Sequence, residues 1–298
     1  MHYYEAYGLN ISSEITCPEL VETSEHEPDV IIQCGIVPQK LAGLTTTGYK
    51  FQAGPNRILI QTMILADILV AAGREITVAP KSAALDGDVR LVLLGWALGA
   101  LLHQRDLLPL HGSVISLEGG GCVVFCAPSG TGKSTPAASF LRQGYQLMDD
   151  NIAVVAPVDE KFMVYPGYPE IKLWPQVFKE FSQGSLKYRT VRPSYGKQAI
   201  DDGDQFQNRP QPLKKIYIIS RTRLPELKIT PLAGGDKFQA LLQNTFCVRF
   251  VRGLGKIATH LNAVQALAAA IPVLEIQVPE HLLLDQDLIE FLEQDFQA

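Results

Sequence analysis

The sequence contains no apolar run long enough to span a bilayer. Its longest apolar stretch, residues 91–102, covers about 12 residues, whereas a membrane helix needs roughly 20. The N-terminus lacks the basic segment and following apolar run of a signal peptide. We therefore expect a cytoplasmic protein that has no membrane partner.

An excess of basic charge is also missing. Lys and Arg number 26 against 31 Asp and Glu, a formal charge of -5, which predicts no general attraction to nucleic acid. The five cysteines form neither a CxxC motif nor a Cys/His cluster, so reduced thiols are expected rather than disulfides or zinc. Cys122 and Cys126 lie on one face of a predicted strand and are expected to be small apolar core residues.

The composition present is that of a folded chain, with 47% hydrophobic and 19% charged residues in 298. Short apolar runs between Gly, Pro and polar clusters predict a β-rich N-terminal domain over residues 1–85. Residues 86–104 have helical spacing, with Asp86 or Asp88 available as a cap, and are expected to connect this domain to the rest. The pattern over 86–298 predicts an α/β catalytic domain.

A glycine-rich loop follows the apolar strand 122–126 and precedes a helix predicted over 136–143. It fits the Walker A pattern, in which Lys133 reaches the outer phosphates of a nucleotide and the hydroxyl of Ser134 holds Mg²⁺. The alternative is a plain turn between strand and helix, but the flanking elements favour phosphate binding. The expected nucleotide-binding residues are Ala127, Pro128, Ser129, Gly130, Thr131, Gly132, Lys133, Ser134 and Thr135.

Two adjacent carboxylates, Asp149 and Asp150, follow the loop after one predicted helix and one predicted strand. This spacing predicts that they return to the sheet edge where the loop lies. One of them can then ligate Mg²⁺ while the other accepts the proton of an attacking hydroxyl. The alternative is a solvated turn or cap.

His111-Gly112, the loop and the aspartate pair, in this order, resemble the catalytic domain of the HPr kinase/phosphorylase family. The resemblance runs from about Leu108 to Val155, and it implies a P-loop fold related to phosphoenolpyruvate carboxykinase. It also implies that one aspartate is the catalytic base and that His111 interacts with the pair and helps to set its protonation. Aligning the pair needs a one-residue gap, and we take Asp149 as the base.

A further segment resembles the same family. Glu170-Ile171-Lys172 corresponds to the family's Glu-Ile-Arg-Gly, which implies that Glu170 assists Mg²⁺ binding and that Lys172 contacts phosphate. The alternative for this segment is a surface ion pair. Thr135 stands where HPr kinases carry Glu, and the region around residues 165–174 is more similar to HPr-kinase-like proteins that modify peptide precursors.

We therefore expect an ATP- and Mg²⁺-dependent kinase that phosphorylates a serine-type hydroxyl of a protein, a peptide or a small molecule. Its catalytic residues would be Asp149, Asp150 and His111, and its metal ligands Ser134, Asp150 and Glu170. The sequence is compatible with a homo-oligomer. The alternatives are a nucleotide-binding regulatory protein and an NTPase without an acceptor. The polar segment 182–212 is expected to be either an active-site segment or a surface loop.

Overall fold

The structure is a computed structural model. It describes residues 1–127, 134–173, 175, 178, 188–190, 198–201, 205–222, 226–279 and 286–297. By its internal contacts the chain divides into two compact units: Met1–Pro109 with Thr245–Gln265, and Leu110–Asn244 with Ala266–Ala298. Residues 86–104, predicted to connect two domains, are grouped with the first unit, and a functional boundary at residue 85 stays a prediction.

The first unit is built on a nine-stranded sheet with the order β3-β1-β2-β4-β9-β8-β7-β6-β5. Successive side chains of a strand point to opposite faces of a sheet, and in the strand 66–71 every second residue is fully buried. This alternation favours a sheet with one face on the core. The strands predicted near residues 30, 58 and 75 are confirmed. The nine strands are β1 His2–Ala6, β2 Leu9–Ser13, β3 Val21–Glu22, β4 Val30–Cys34, β5 Thr46–Gly48, β6 Phe51–Gly54, β7 Arg57–Gln61, β8 Ala66–Ala71 and β9 Glu75–Pro80.

The predicted helix over 86–104 is present but contains an irregular turn. It consists of α1 Asp86–Val92, a π-helical segment Leu93–Ala97 and α2 Leu98–Gln104. The expectation that an aspartate caps it is wrong, because the N-cap is Leu85 and makes no side-chain capping bond. Both aspartates lie inside the first turn instead, where their charge still favours the helix N-terminus.

The second unit contains a mixed sheet in which β13, β11, β12 and β19 are neighbours in that order. β12 runs parallel to β19, and β19 runs parallel to β21. β11 runs antiparallel to both β12 and β13. The strands are β10 Leu108–Leu110, β11 Gly112–Ser116, β12 Cys122–Cys126, β13 Gln146–Asp149, β14 Ala153–Val158, β15 Lys161–Tyr165, β16 Glu170–Leu173, β17 Tyr188–Thr190, β18 Gln198–Asp201, β19 Gln211–Thr222, β20 Lys228–Pro231 and β21 Val273–Pro279. The protein is therefore a mixed α/β chain with two large sheets.

A small third sheet has the order β16-β18-β17. β17 and β18 lie inside the polar segment 182–212, for which only an active-site segment or a surface loop was expected. The described part of that segment thus includes paired strands, and the remainder lies partly outside the described residues.

The helix after the predicted loop and the last helix of the chain share one hydrophobic core with strands of the mixed sheet. The ring of Phe125 stacks on Tyr217 and on Phe140, with centroids 5.4 and 5.8 Å apart, which fixes the helix after the predicted loop against the strand before it. The described helices after α2 are α3 Ser134–Arg142, α4 Gly234–Gln243, α5 Arg249–Gly253, α6 Ile257–Ala270 and α7 Gln286–Gln297. Among the described residues, no helix has the length and apolar composition needed to cross a bilayer.

The cysteines agree with the expectation of reduced thiols, because all five are free. Cys122 and Cys126 have no exposed surface, and both belong to β12. Burial raises the pKa of the Cys122 thiol well above its usual range, so this sulfur is held as a neutral core group.

Candidate active site

Three of the predicted features meet at one edge of the mixed sheet. Gly112 pairs with Cys126, and Val114 pairs with Asp149. Because β11 is antiparallel to both neighbours, β12 and β13 end where β11 begins. His111, the start of the predicted phosphate loop and the aspartate pair therefore lie at the same sheet edge.

The loop itself is described only at its ends. Ala127 is fully buried in the hydrophobic core, Ser134 is the first residue of α3, and Thr135 is buried in its first turn. The other predicted nucleotide-binding residues, Pro128, Ser129, Gly130, Thr131, Gly132 and Lys133, lie outside the described residues. The predicted strand lies before these residues and the predicted helix lies after them.

Asp149 orders the turn that follows β13. Its Oδ1 accepts hydrogen bonds from the backbone N–H groups of Asn151, at 2.5 Å, and Ile152, at 2.6 Å. Such bonds from a carboxylate to the backbone two and three residues on are typical of Asx-type turns. The side chain is only 1% exposed, so the turn is buried and not the solvated one considered as the alternative.

Asp150 is held by two other strands of the unit. The hydroxyl of Ser113 on β11 donates to Oδ1 at 2.5 Å, and the backbone N–H of Lys172 on β16 donates to Oδ2 at 2.9 Å. Ser113 is fully buried and Asp150 is 6% exposed. Both oxygens of this carboxylate are therefore oriented by the protein.

Glu170 and Lys172 form an ion pair, with 2.7 Å between Oε1 and Nζ. The alternative predicted an ion pair on the surface. The pair is present but does not lie on the surface, because the two side chains are only 4% and 18% exposed. The Lys172 ammonium also lies 3.5 Å from the hydroxyl of Tyr168 and 5.4 Å from the centroid of its ring. Lys172 is thus a partly buried cation held by an acid and an aromatic ring.

The charge of Lys172 is maintained by its surroundings. Burial by itself lowers the pKa of this ammonium. The hydroxyl of Tyr168 and the carboxylates of the aspartate pair outweigh burial and raise the pKa of Lys172 above its usual range. Its positive charge therefore remains next to three buried carboxylates at neutral pH.

Three carboxylates and one ammonium leave the cluster of Asp149, Asp150, Glu170 and Lys172 with a formal charge of about -2 when all are ionised. Oxygen donors with excess negative charge suit Mg²⁺. The described residues nevertheless contain no group of three or more His, Cys, Asp or Glu placed to hold a metal ion by themselves. The donor set fits Mg²⁺ bound through one or two carboxylates together with nucleotide phosphates, which is the usual mode for this ion.

His111 lies two residues before Ser113 and is half-buried. Its backbone N–H donates to the carbonyl of Asn244 at 2.7 Å, which fixes the chain just before β11. The predicted interaction between its imidazole and the aspartate pair stays a prediction.

Two residues that contact the cluster, Ser113 and Tyr168, were not assigned a role from the sequence. Ser113 lies two residues after His111. The sequence signal that could have identified it is a single hydroxyl among the apolar and glycine residues at positions 112–115. Tyr168 follows Gly167 in a Pro- and Gly-rich segment, which offers no signal for a buried ring.

The chain was compared with known proteins at the level of sequence and of structure. No protein-family model matches it, and no curated protein sequence matches it. Among solved structures it is similar to the HPr(Ser) kinase/phosphatase from Coxiella burnetii, with 13% sequence identity and a TM-score of 0.35 over 63% of this chain and 95% of that chain. A likeness of this size establishes neither the family nor the activity.

Proposed function

We propose that this protein is an ATP- and Mg²⁺-dependent kinase that transfers the γ-phosphate to a serine-type hydroxyl. The observation that carries the proposal is the meeting, at one sheet edge, of the strand that leads into the Walker A sequence and the buried aspartate pair. The acceptor is a protein, a peptide or a small hydroxylated molecule.

Nucleotide binding is proposed for residues 127–135. The Walker A sequence between Ala127 and Ser134 supplies backbone N–H groups and the Lys133 ammonium for the phosphates. α3 begins directly after this sequence, so the positive end of its dipole adds to the anion site. The packing of α3 on β12 through Phe140 and Phe125 supports a rigid frame for the loop.

Mg²⁺ would be held by Asp150, Ser134 and Glu170, with phosphate oxygens completing its shell. When bound, the ion neutralises charge that develops on the transferred phosphoryl group. Ser113 and the Lys172 N–H orient both oxygens of Asp150, so this carboxylate needs little reorganisation to serve as a ligand. Asp150 is therefore the better candidate for the ligand and Asp149 for the base.

In the proposed step, Asp149 takes the proton of the acceptor hydroxyl. The acceptor oxygen forms a bond to the γ-phosphorus, the bond from that phosphorus to the β–γ bridging oxygen breaks, and ADP leaves. The Asp149 carboxylate would accept this proton while its Oδ1 also accepts the backbone N–H groups of Asn151 and Ile152. His111 is proposed to help set the protonation of the pair.

Lys172 is proposed to limit the repulsion among the carboxylates and the incoming phosphates. Its ammonium is already paired with Glu170 at 2.7 Å, so it counters the buried negative charge before the nucleotide arrives. A direct contact from Lys172 to phosphate requires this ion pair to loosen.

The experiment that tests this function measures ADP release with ATP and Mg²⁺, with and without candidate serine-containing peptides, and identifies phosphoserine in the acceptor by mass spectrometry. Acceptor-dependent ADP release and a phosphorylated serine are expected. ATP hydrolysis that no acceptor changes would establish a simple NTPase instead. ATP binding without turnover would establish a regulatory nucleotide-binding protein.

A further inference from the structure

The first unit exposes a row of large apolar side chains. Among the described residues, and apart from Met1, its members are the five most exposed large hydrophobic residues of the chain. They are Ile36 at 97%, Met63 at 88%, Tyr49 at 73%, Leu85 at 66% and Ile64 at 59% exposure. Isolated apolar residues on a surface are ordinary, but a contiguous group marks an interaction site.

The strand register places all five at one end of the sheet. Cys34 of β4 pairs with Val78 of β9, and Pro80 of β9 pairs with Ala66 of β8. Two further pairs, Gln61 with Asp67 and Phe51 with Ile60, continue the same end across β7 and β6. The connections at this end carry the five apolar residues: Ile36 follows β4, Tyr49 precedes β6, Met63 and Ile64 lie between β7 and β8, and Leu85 follows β9.

We call this end the apolar edge. The order β4-β9-β8-β7-β6 separates its first and last strands by four intervals, or about 19 Å at about 4.8 Å per strand. A standard protein interface needs about 800 Å² from each partner, so the interface would include residues of the loops beside the row.

The two ends of the apolar edge carry opposite charge. At the β4 and β9 end, Glu14, Asp86 and Arg90 line a groove of about 450 Å³. Because Arg90 is paired with Glu19 at 2.9 Å, the two other carboxylates leave this end acidic. At the β6 end lies Lys50, whose Nζ is 4.9 Å from the ring centroid of Tyr49. A two-fold rotation about an axis through the middle of the row would place the acidic end of one copy opposite the basic end of the other.

We propose that the apolar edge is a self-association surface that binds a second copy of this chain. A two-fold interface uses the same patch on both subunits and therefore requires a patch complementary to itself. Apolar residues along the whole row, with Glu14 and Asp86 at one end and Lys50 at the other, meet this requirement. An anionic lipid surface fits less well, because it would repel the two carboxylates.

The first experiment measures the mass of the full chain by sedimentation equilibrium over a micromolar concentration series. A dimer is expected for the wild type, and the double variant Ile36→Ser with Met63→Ser should raise the dimer Kd at least about tenfold. Both side chains are almost fully exposed, so the fold should be retained, which circular dichroism verifies.

Ile257→Ser is the matched control. Ile257 is 46% exposed in the same unit but lies towards the opposite end of the sheet: Lys256 pairs with Asp106 at 2.7 Å, and the adjacent Arg105 donates to the carbonyl of Gly73 in the β8–β9 turn. This variant should dimerise like the wild type.

The second experiment tests the two-fold pairing by reversing charges. Asp86→Lys and Lys50→Glu should each weaken the dimer by about tenfold, because each brings like charges together, and the double variant should recover most of the wild-type affinity. A wild type that is monomeric throughout the series would overturn the proposal. So would a dimer that the Ile36 and Met63 changes leave intact, or a monomer that binds vesicles of phosphatidylcholine and phosphatidylserine through these residues.

Discussion

The hydroxyl of Ser113 donates a 2.5 Å hydrogen bond to Oδ1 of Asp150, and this bond joins residues 37 positions apart in the sequence. It connects the strand next to the predicted phosphate loop with the predicted metal ligand. Neither group has appreciable exposed surface, so water cannot readily replace the bond if it is lost.

Replacing Ser113 with Ala should slow phosphoryl transfer by roughly 10–100-fold, as the loss of groups that orient metal ligands does. We also expect a loss of roughly 1–3 kcal/mol in the free energy of unfolding, because a buried carboxylate oxygen loses a donor. Turnover as a function of Mg²⁺ concentration and denaturant unfolding provide the measurements.

Ser113→Thr is the matched control, since it keeps the hydroxyl. It should require less Mg²⁺ for half-maximal turnover than Ser113→Ala does, whatever the two variants' stabilities. Equal Mg²⁺ dependence in the wild type and the Ala variant would show that Ser113 has only a structural role.

The local elements around the site could be predicted from the sequence. The apolar run 122–126 predicted β12, and the helical spacing after the loop predicted α3, although the helix begins at Ser134 rather than at Pro136. Both elements depend mainly on neighbouring residues: apolar strand formers in one case, and a proline tolerated in the first helical turn in the other.

The features that were missed depend on contacts between distant residues. The bond from Ser113 to Asp150 and the pairing of β16 with β18 join separate segments, and no local pattern encodes them. The π-helical segment 93–97 inserts a wider turn into an apolar stretch, where the spacing of apolar residues does not distinguish it from an α-helix. Burial of Glu170 and Lys172 was missed because a charged pair is usually exposed.

Asp149→Asn should keep ATP affinity and lower turnover by about 100-fold or more, as loss of a general base does. The Asn oxygen can still accept the N–H bonds of Asn151 and Ile152, so the turn should persist. Single-turnover kinetics and calorimetry with ATP are the measurements. Asp159→Asn, in an exposed turn, should behave like the wild type, and near-normal turnover of Asp149→Asn would assign the base elsewhere.

Lys133→Ala should weaken ATP binding by roughly ten- to a hundredfold and abolish transfer. A charged hydrogen bond to phosphate contributes roughly 1.5–3 kcal/mol. Titration calorimetry with ATP measures this loss, and Lys161→Ala, at an exposed strand position, is the control for removing a lysine. Unchanged ATP affinity in Lys133→Ala would refute the assignment of the phosphate loop.

His103 should make the stability of the protein depend on pH below neutrality. Burial lowers the pKa of His103 to about 4 from 6.5, and its Nε2–H donates to the carbonyl of Phe246 at 2.7 Å. Between pH 6.5 and 4, the imidazole of His103 therefore binds a proton in the unfolded chain but not in the folded chain. His103 therefore leaves the free energy of unfolding unchanged above pH 6.5. Below that pH it lowers the free energy of unfolding, by roughly 3 kcal/mol near pH 4. His103→Gln keeps a donor for Phe246 and should flatten this part of a urea-unfolding profile, whereas parallel profiles for the two proteins would contradict the assignment.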